Sequence, residues 1–142
     1  MSAKWKVLFL CTGNSCRSQM AEAWARHLHG DRIEAHSAGT APKPVDPRAT
    51  WVMREVGIDL TGHRSKPLDE EIGLDFDLVV TVCAKASESC PAFPGTARRL
   101  HAEFDDPPRL AMTATTEDEA LVPYRRVRDE IRDFVASLPG MR

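Results

Sequence analysis

Two runs of apolar residues predict strands that are covered by protein on both faces. Residues 7–10 and residues 78–82 are almost continuously apolar, which is typical of strands in a parallel sheet flanked by helices. Residues 33–37 predict a shorter strand between them, and residues 97–104 predict an edge strand. The chain therefore supplies four candidate strands.

Apolar residues at helical spacing predict three helices. The first begins at Arg17 and ends at Gly30, and its apolar stripe consists of Met20, Ala21, Trp24 and Leu28. The second begins at Pro47 with Asp46 as its N-cap and ends at Gly57. The stripe of the third consists of Tyr124, Val127, Ile131, Phe134, Val135 and Leu138. The residues of that helix expected to be solvated are Arg125, Arg126, Arg128, Glu130 and Arg132.

The alternation of strands and helices predicts an α/β fold. We expect one three-layer domain over residues 1–142, with a four-stranded parallel sheet and helices on both of its faces. Ligands of such sheets bind at the carboxyl ends of the strands. Cys11 and Cys83 each follow a predicted strand directly, so we expect these two distant cysteines to share one site.

Composition narrows the functional classes. The 142 residues are 42% hydrophobic and 28% charged, with 19 Lys and Arg against 21 Asp and Glu and a formal net charge of −2. This balance disfavours general binding to nucleic acid or to a membrane surface. No apolar run is long enough for a secretory signal or a membrane span. We therefore expect a cytoplasmic protein, in which cysteines are more often catalytic, redox-active or metal-binding than disulfide-linked.

Residues 11–18 read Cys-Thr-Gly-Asn-Ser-Cys-Arg-Ser and lie between a predicted strand and a predicted helix. A loop that leads into a helix N-terminus can turn several backbone N–H groups toward an oxyanion. The Arg side chain offers a fork of donors, and the same positive field stabilises a thiolate at Cys11. Ser18 is a candidate donor to that thiolate. The predicted oxyanion-binding residues are Thr12, Gly13, Asn14, Ser15, Cys16, Arg17 and Ser18.

Each of the two loop cysteines also has a purely structural interpretation. A cysteine at the end of a buried strand is often only a small core residue, and the surrounding Gly, Asn, Arg and Ser are what disfavour this for Cys11. Cys16 is equally explained as a packed or spare thiol.

The segment 11–18 resembles the phosphate-binding loop of the low-molecular-weight protein tyrosine phosphatases. The longer segment 11–22, which continues Gln-Met-Ala-Glu, is similar to the thioredoxin-coupled arsenate reductases built on the same fold. The resemblance continues through Ser37-Ala38-Gly39, residues 77–83, Cys90-Pro91, residues 104–107 and residues 126–131. It thus spans nearly the whole chain.

Cys83 and Cys90 are seven residues apart, which is about 10.5 Å along the axis if the segment is helical. A disulfide needs Cα atoms within about 7 Å. A bridge between them would therefore require the helix to unwind or loop out. A zinc site is a poor match to the cysteine spacings, and two unrelated buried thiols remain an alternative. We expect neither a metal nor an organic cofactor.

Asp105-Asp106-Pro107-Pro108 places two carboxylates before two prolines. Consecutive prolines cannot lie inside a helix, so we expect an extended, rigid loop. The resemblance implies that the acid directly before the proline, Asp106, is the general acid, and it leaves Asp105 a structural role.

The resemblance further implies a complete reaction. Arsenate, for which phosphate or sulfate would be a mimic, binds the loop, Cys11 attacks arsenic and Asp106 protonates the departing hydroxyl. Cys83 then attacks Cys11, arsenite leaves, and Cys90 moves the disulfide to Cys83–Cys90. Thioredoxin reduces that disulfide. We expect the protein to act as a monomer.

Two rival functions stay open. A phosphotyrosine phosphatase would use Cys11, Arg17 and Asp106 and would leave Cys83 and Cys90 idle. A non-enzymatic thiol sensor or metal-binding module would not require Arg17, Ser18 or Asp106.

One position departs from the family. Some members bind potassium through residues that align with Asn14, Glu22, Ser37 and an aspartate, and here that last position is Lys66. This implies little stimulation by potassium. Glu22 itself is either a solvated helix residue or a residue that orients Asn14 or Ser15.

Overall fold

The computed structural model describes residues 4–71, 73–83 and 97–141. Four strands form one sheet in which every pairing is parallel, in the order β2-β1-β3-β4. The strands are β1 (Trp5–Cys11), β2 (Ile33–Gly39), β3 (Leu78–Thr81) and β4 (Arg98–His101). The predicted four-stranded parallel sheet is thus confirmed. The edge strand is shorter than the predicted residues 97–104, and β2 extends beyond the predicted end to Gly39.

Most of the described residues outside the strands are helical. The α-helices are α1 (Arg17–His29), α2 (Pro47–Glu55), α3 (Pro107–Ala111) and α4 (Glu117–Ala136), and 3-10 turns cover Leu68–Glu70 and Leu138–Met141. α1 packs against β1, β2 and α4, while α2 and α3 also pack against α4. Residues 7–10 of β1 are fully buried, so both faces of the central strand are covered, as the apolar run predicts.

Local chemistry explains where the helices begin. Asp46 caps α2 by accepting a hydrogen bond from the Arg48 N–H, with Pro47 at the first helical position. Thr116 caps α4 by accepting from the Glu119 N–H. No helix within the described residues is long and apolar enough to cross a membrane.

Two predictions about local structure are wrong. The prolines after Asp106 do not hold an extended loop, because Pro107 and Pro108 form the first turn of α3, where proline needs no N–H partner. Arg128 is not solvated: it is buried, and its Nη1 donates to the Val52 carbonyl at 2.9 Å. The helical pattern alone could not show that α2 packs against this side of α4.

Candidate active site

The loop 12–16 connects the end of β1 to the start of α1 at the carboxyl edge of the sheet. Asn14 is fully buried and has a φ of 46°, a left-handed conformation that Asn tolerates better than most residues. The segment that follows β2 binds the carbonyl side of the loop through three backbone hydrogen bonds. These join Ala41 N to Thr12 O at 2.8 Å, Lys43 N to Gly13 O at 2.8 Å and Asp46 N to Ser15 O at 2.9 Å.

Gly39 allows the end of β2 to approach this loop. It pairs with Cys11 in the β1–β2 register. A Cβ at Gly39 would lie 2.6 Å from the Thr12 carbonyl oxygen and 2.9 Å from the Asn14 nitrogen. Any side chain at this position would therefore displace the backbone of the anion loop.

The direction of the hydrogen bond to Cys11 can be assigned from its neighbours. The Lys66 backbone N–H donates to Asn14 Oδ1 at 2.8 Å, which fixes the orientation of the Asn14 amide. Asn14 Nδ2 then donates to Ser18 Oγ at 2.8 Å. Because Ser18 Oγ already accepts this bond, its single proton is free for Cys11 Sγ, which lies 3.1 Å away. The Ser18 hydroxyl is therefore oriented toward the sulfur of the first loop cysteine.

Arg17 and Asp106 lie side by side in the pocket. Arg17 Nη1 donates to the Phe104 carbonyl at 2.8 Å, and Arg17 Nη2 lies 3.8 Å from Asp106 Oδ1. Asp106 is the N-cap residue of α3, and its side chain is 43% exposed. The neighbouring Asp105 instead pairs with Arg126 at 2.9 Å.

Cys83 is buried and lines the same pocket as Cys11. Its Sγ lies 3.3 Å from Thr12 Oγ1, so the residue after Cys11 contacts the second thiol directly. Cys90, and with it the predicted loop-out between Cys83 and Cys90, lies outside the described residues. The pocket measures about 550 Å³ and is lined by Cys11, Thr12, Gly13, Ser15, Cys16, Arg17, Lys43, Asp46, Cys83, Asp106, Pro108 and Arg109.

Comparison with known proteins places the chain in a family. A profile described as low molecular weight phosphotyrosine protein phosphatase matches residues 6–139. The chain belongs to this family. Within it, the chain is 46% identical over 125 residues to an arsenate reductase of Halalkalibacterium halodurans, with 88% of each sequence covered.

The solved structures that are similar to this chain include both arsenate reductases and a tyrosine phosphatase. An arsenate reductase in the phosphate binding state superposes with a TM-score of 0.74 and 30% identity, covering 96% of this chain and 98% of the other. A low molecular weight protein tyrosine phosphatase from T. tengcongensis superposes with a TM-score of 0.76 and 28% identity, covering 98% and 100%.

The two cysteines of the family loop differ in their surroundings. Cys11 Sγ accepts a hydrogen bond from the Ser18 hydroxyl. Burial, by contrast, raises the pKa of the Cys16 thiol well above its ordinary value. The negative charge of Asp46 raises the pKa of Cys16 further. Cys16 therefore stays a neutral thiol at physiological pH, and its side chain is not a competing nucleophile.

Glu22 is not solvated, and its carboxylate forms no hydrogen bond to Asn14 or Ser15 within the described residues. It is buried, and its Oε1 accepts a hydrogen bond from Ser37 Oγ at 2.8 Å. Lys66 Nζ lies 3.8 Å from the same oxygen, and His63 Nδ1 lies 3.3 Å from Glu22 Oε2. The cationic side chain thus lies beside the carboxylate for which the resemblance implies a potassium ion in other members.

Gln19 supports the anion loop, a role that no sequence motif predicts. It is fully buried, and its Nε2 donates to the carbonyls of Asn14 at 3.0 Å and Arg64 at 3.1 Å. Because both acceptors are carbonyls, the amide orientation is fixed and Gln19 Oε1 accepts from His63 Nδ1 at 3.0 Å. The apolar stripe predicted for α1 does not include this position, which appears only in the resemblance of residues 11–22.

Asp46 and Tyr124 form a second hydrogen-bonded support beside the anion loop. The Tyr124 hydroxyl donates to Asp46 Oδ2, and burial together with this bond raises the pKa of Tyr124. Tyr124 therefore remains a neutral donor. Asp46 was recognisable as an N-cap, but its place on the pocket wall depends on a contact between residues 78 positions apart.

Proposed function

We propose that this chain reduces arsenate to arsenite by a thiol relay that begins at Cys11. The observation that carries the proposal is the presence of two buried thiols, Cys11 and Cys83, on the pocket that the anion loop lines. A hydrolytic phosphatase needs only the first thiol. The similarity to arsenate reductases over most of the chain supports the same function.

The first half of the reaction uses the anion loop. Arsenate binds to the backbone N–H groups of residues 12–17 and to the Arg17 guanidinium, as a phosphate would. The Cys11 thiolate forms a sulfur–arsenic bond, and a hydroxyl leaves arsenic as water when Asp106 protonates it. Asp106 suits this role because it lies on the pocket wall and is partly open to solvent, from which it can recover its proton.

The second half transfers two electrons. Cys83 attacks Cys11 Sγ, so that a sulfur–sulfur bond forms and the sulfur–arsenic bond breaks with its electron pair remaining on arsenic. Arsenic(V) becomes arsenite while two thiols become a Cys11–Cys83 disulfide. Thr12, in contact with Cys83, guides its sulfur toward this attack.

The proposal includes a regeneration step. Cys90 attacks Cys83 to release Cys11, and thioredoxin reduces the resulting Cys83–Cys90 disulfide. The enzyme would then act as a cytoplasmic monomer with thioredoxin as a protein partner. It would need no organic cofactor, because the electrons arrive through thiols.

Phosphotyrosine hydrolysis is the second candidate function. It is favoured by the presence of Cys11, Arg17 and Asp106 on one pocket and by the family to which the chain belongs. It leaves the position of Cys83 unexplained. A thiol sensor is the third, and it would leave Arg17 and Asp106 without a task.

The decisive experiment measures arsenite release with a thioredoxin system for the parent chain and three cysteine variants. Cys11→Ser should release none, and Cys83→Ser should stop before arsenite appears. Cys90→Ser should release about one arsenite per chain and then stop. Turnover of an aryl phosphate that is indifferent to Cys83→Ser and Cys90→Ser, without arsenite release, would establish a phosphatase, and no anion turnover at all would indicate a sensor.

A further inference from the structure

We propose that Lys43 and Arg109 form a cationic rim that captures doubly charged oxyanions and makes the pocket selective for them over singly charged ones. The inference deepens the proposed function and rests on it for the identity of the substrate. It assigns a task to two residues outside the loop motif and outside the thiol relay.

Lys43 is held beside the anion loop. Its backbone N–H donates to the Gly13 carbonyl at 2.8 Å, and Ser15 Oγ donates to the Pro44 carbonyl at 2.8 Å. A Cβ at Gly13 would lie 3.8 Å from both Cβ and Cδ of Lys43. The Lys43 side chain therefore lies along the loop, and this exposed residue lines the pocket.

Arg109 is placed on the other wall. It lies three residues after Asp106, in the short helix α3 that begins at Pro107. Residues three apart on a helix face the same side. Arg109 thus joins Asp106 on the pocket wall while remaining exposed to solvent.

No carboxylate in the described part of the chain pairs with either of these two side chains. Across residues 4–71, 73–83 and 97–141, neither Lys43 nor Arg109 has a recorded ion pair or side-chain hydrogen bond. Three other arginines at the surface are paired: Arg48 with Glu117, Arg64 with Glu70 and Arg125 with Glu55.

The carboxylates on the same pocket, by contrast, already have partners. Asp46 accepts hydrogen bonds from Tyr124 and from the Arg48 N–H, and Asp106 lies 3.8 Å from Arg17. The described lining of the pocket carries three cationic side chains, Arg17, Lys43 and Arg109, against these two carboxylates. Its formal charge is therefore positive even though the whole chain has a net charge of −2. Exposed cations around a cleft raise the local concentration and the association rate of anions.

Charge selectivity follows from the same field. The interaction of a fixed cation with an anion is proportional to the charge of the anion. A dianion such as arsenate or phosphate at pH 8 gains twice the free energy that a monoanion of the same tetrahedral shape gains. Because both rim cations are in solvent, the effect is screened by salt.

The test measures binding of inorganic phosphate and of the tetrahedral monoanion perrhenate to chains that also carry Cys11→Ser, at pH 8 and low salt. Lys43→Gln and Arg109→Gln should each weaken phosphate binding about fivefold and perrhenate binding about twofold. The double variant should lose about 25-fold and about fivefold, so that the loss for the dianion is the square of that for the monoanion. These differences should shrink at about 0.5 M salt.

Arg32→Gln is the matched control. It removes the same charge from an exposed residue just before β2, at the opposite edge of the sheet from the pocket. It should change phosphate binding by less than about 1.5-fold. In chains with Cys11 intact, the double rim variant should lower kcat/KM for arsenate with kcat unchanged.

Three results would overturn the proposal. The double variant could bind phosphate within twofold of the parent at low salt, it could lose phosphate and perrhenate affinity by the same factor, or Arg32→Gln could have the same effect as the rim variants. None of these results depends on arsenite formation. A chain that shows the rim effect but releases no arsenite would contradict the proposed function and leave the rim intact.

Discussion

At the floor of the pocket, Cys11, Asn14 and Ser18 are buried and their side chains form one chain of hydrogen bonds. At the rim, Lys43 and Arg109 are exposed and have no recorded side-chain partner within the described residues. The floor thus fixes the geometry of a reaction, because its donors are oriented before a ligand arrives. The rim acts through charge at a distance and needs no fixed geometry. Substitutions should therefore have large, salt-independent effects at the floor and small, salt-dependent ones at the rim.

The largest effect is expected from Arg17→Lys. Lysine keeps the charge but loses the planar fork and the bond to the Phe104 carbonyl. If Arg17 works through geometry, as the floor residues do, kcat/KM for arsenate should fall about 10²- to 10³-fold, with little dependence on salt. Arg26→Lys, on the exposed side of the same helix, is the control and should stay within about twofold. A loss at Arg17 that high salt abolishes would mean that this residue also acts as a simple charge.

Asp106→Asn tests the boundary between the two regions. Asp106 is half exposed, but it is also 3.8 Å from Arg17. Loss of the general acid should slow arsenite formation in a single turnover about 10²-fold. Asp105→Asn is the matched control, because Asp105 pairs with Arg126 and does not line the pocket. Equal rates for the two variants would show that Asp106 is not the general acid.

Gln19→Met separates the support of the floor from its chemistry. The substitution leaves the Asn14 and Arg64 carbonyls and the His63 N–H without their buried partner. The free energy of unfolding should fall by about 2–3 kcal/mol, and kcat/KM should fall about tenfold as Asn14 loses its position. Urea unfolding and steady-state kinetics measure the two quantities, with His27→Met on the exposed face of α1 as control. Full activity in a destabilised variant would show that Gln19 contributes to stability and not to the geometry of the active site.

The same contrast explains what the sequence could predict. The loop 11–18 and its place between β1 and α1 could be identified because strand, turn and helix signals are local. The rim could not, since it exists only because residues after β2 and in α3 meet across the pocket. The burial of Arg128 and the Tyr124–Asp46 bond escaped for the same reason, because both join segments far apart in the sequence. The prolines after Asp106 begin a helix although they predict an extended loop, because a proline pair suits the first turn of a helix equally well.

The smallest effect is expected from replacing sodium with potassium at constant ionic strength. Lys66 Nζ lies 3.8 Å from Glu22 Oε1 and donates to the Arg64 carbonyl at 3.1 Å. An ammonium at this carboxylate repels a second cation, so kcat/KM should change by less than about twofold. Lys66→Asp should remove that cation, supply a further oxygen ligand and make activity depend on potassium.

Lys66→Gln is the control for this last substitution, because it removes the charge without adding a carboxylate. Potassium should raise kcat/KM for Lys66→Asp and have little effect on Lys66→Gln. The backbone N–H of residue 66 still donates to Asn14 Oδ1 in both variants, so any difference between them arises at Glu22. A several-fold rise in the parent chain would mean that the ammonium leaves room for a solvent cation. The floor would then depend on the ions around it, as the rim does.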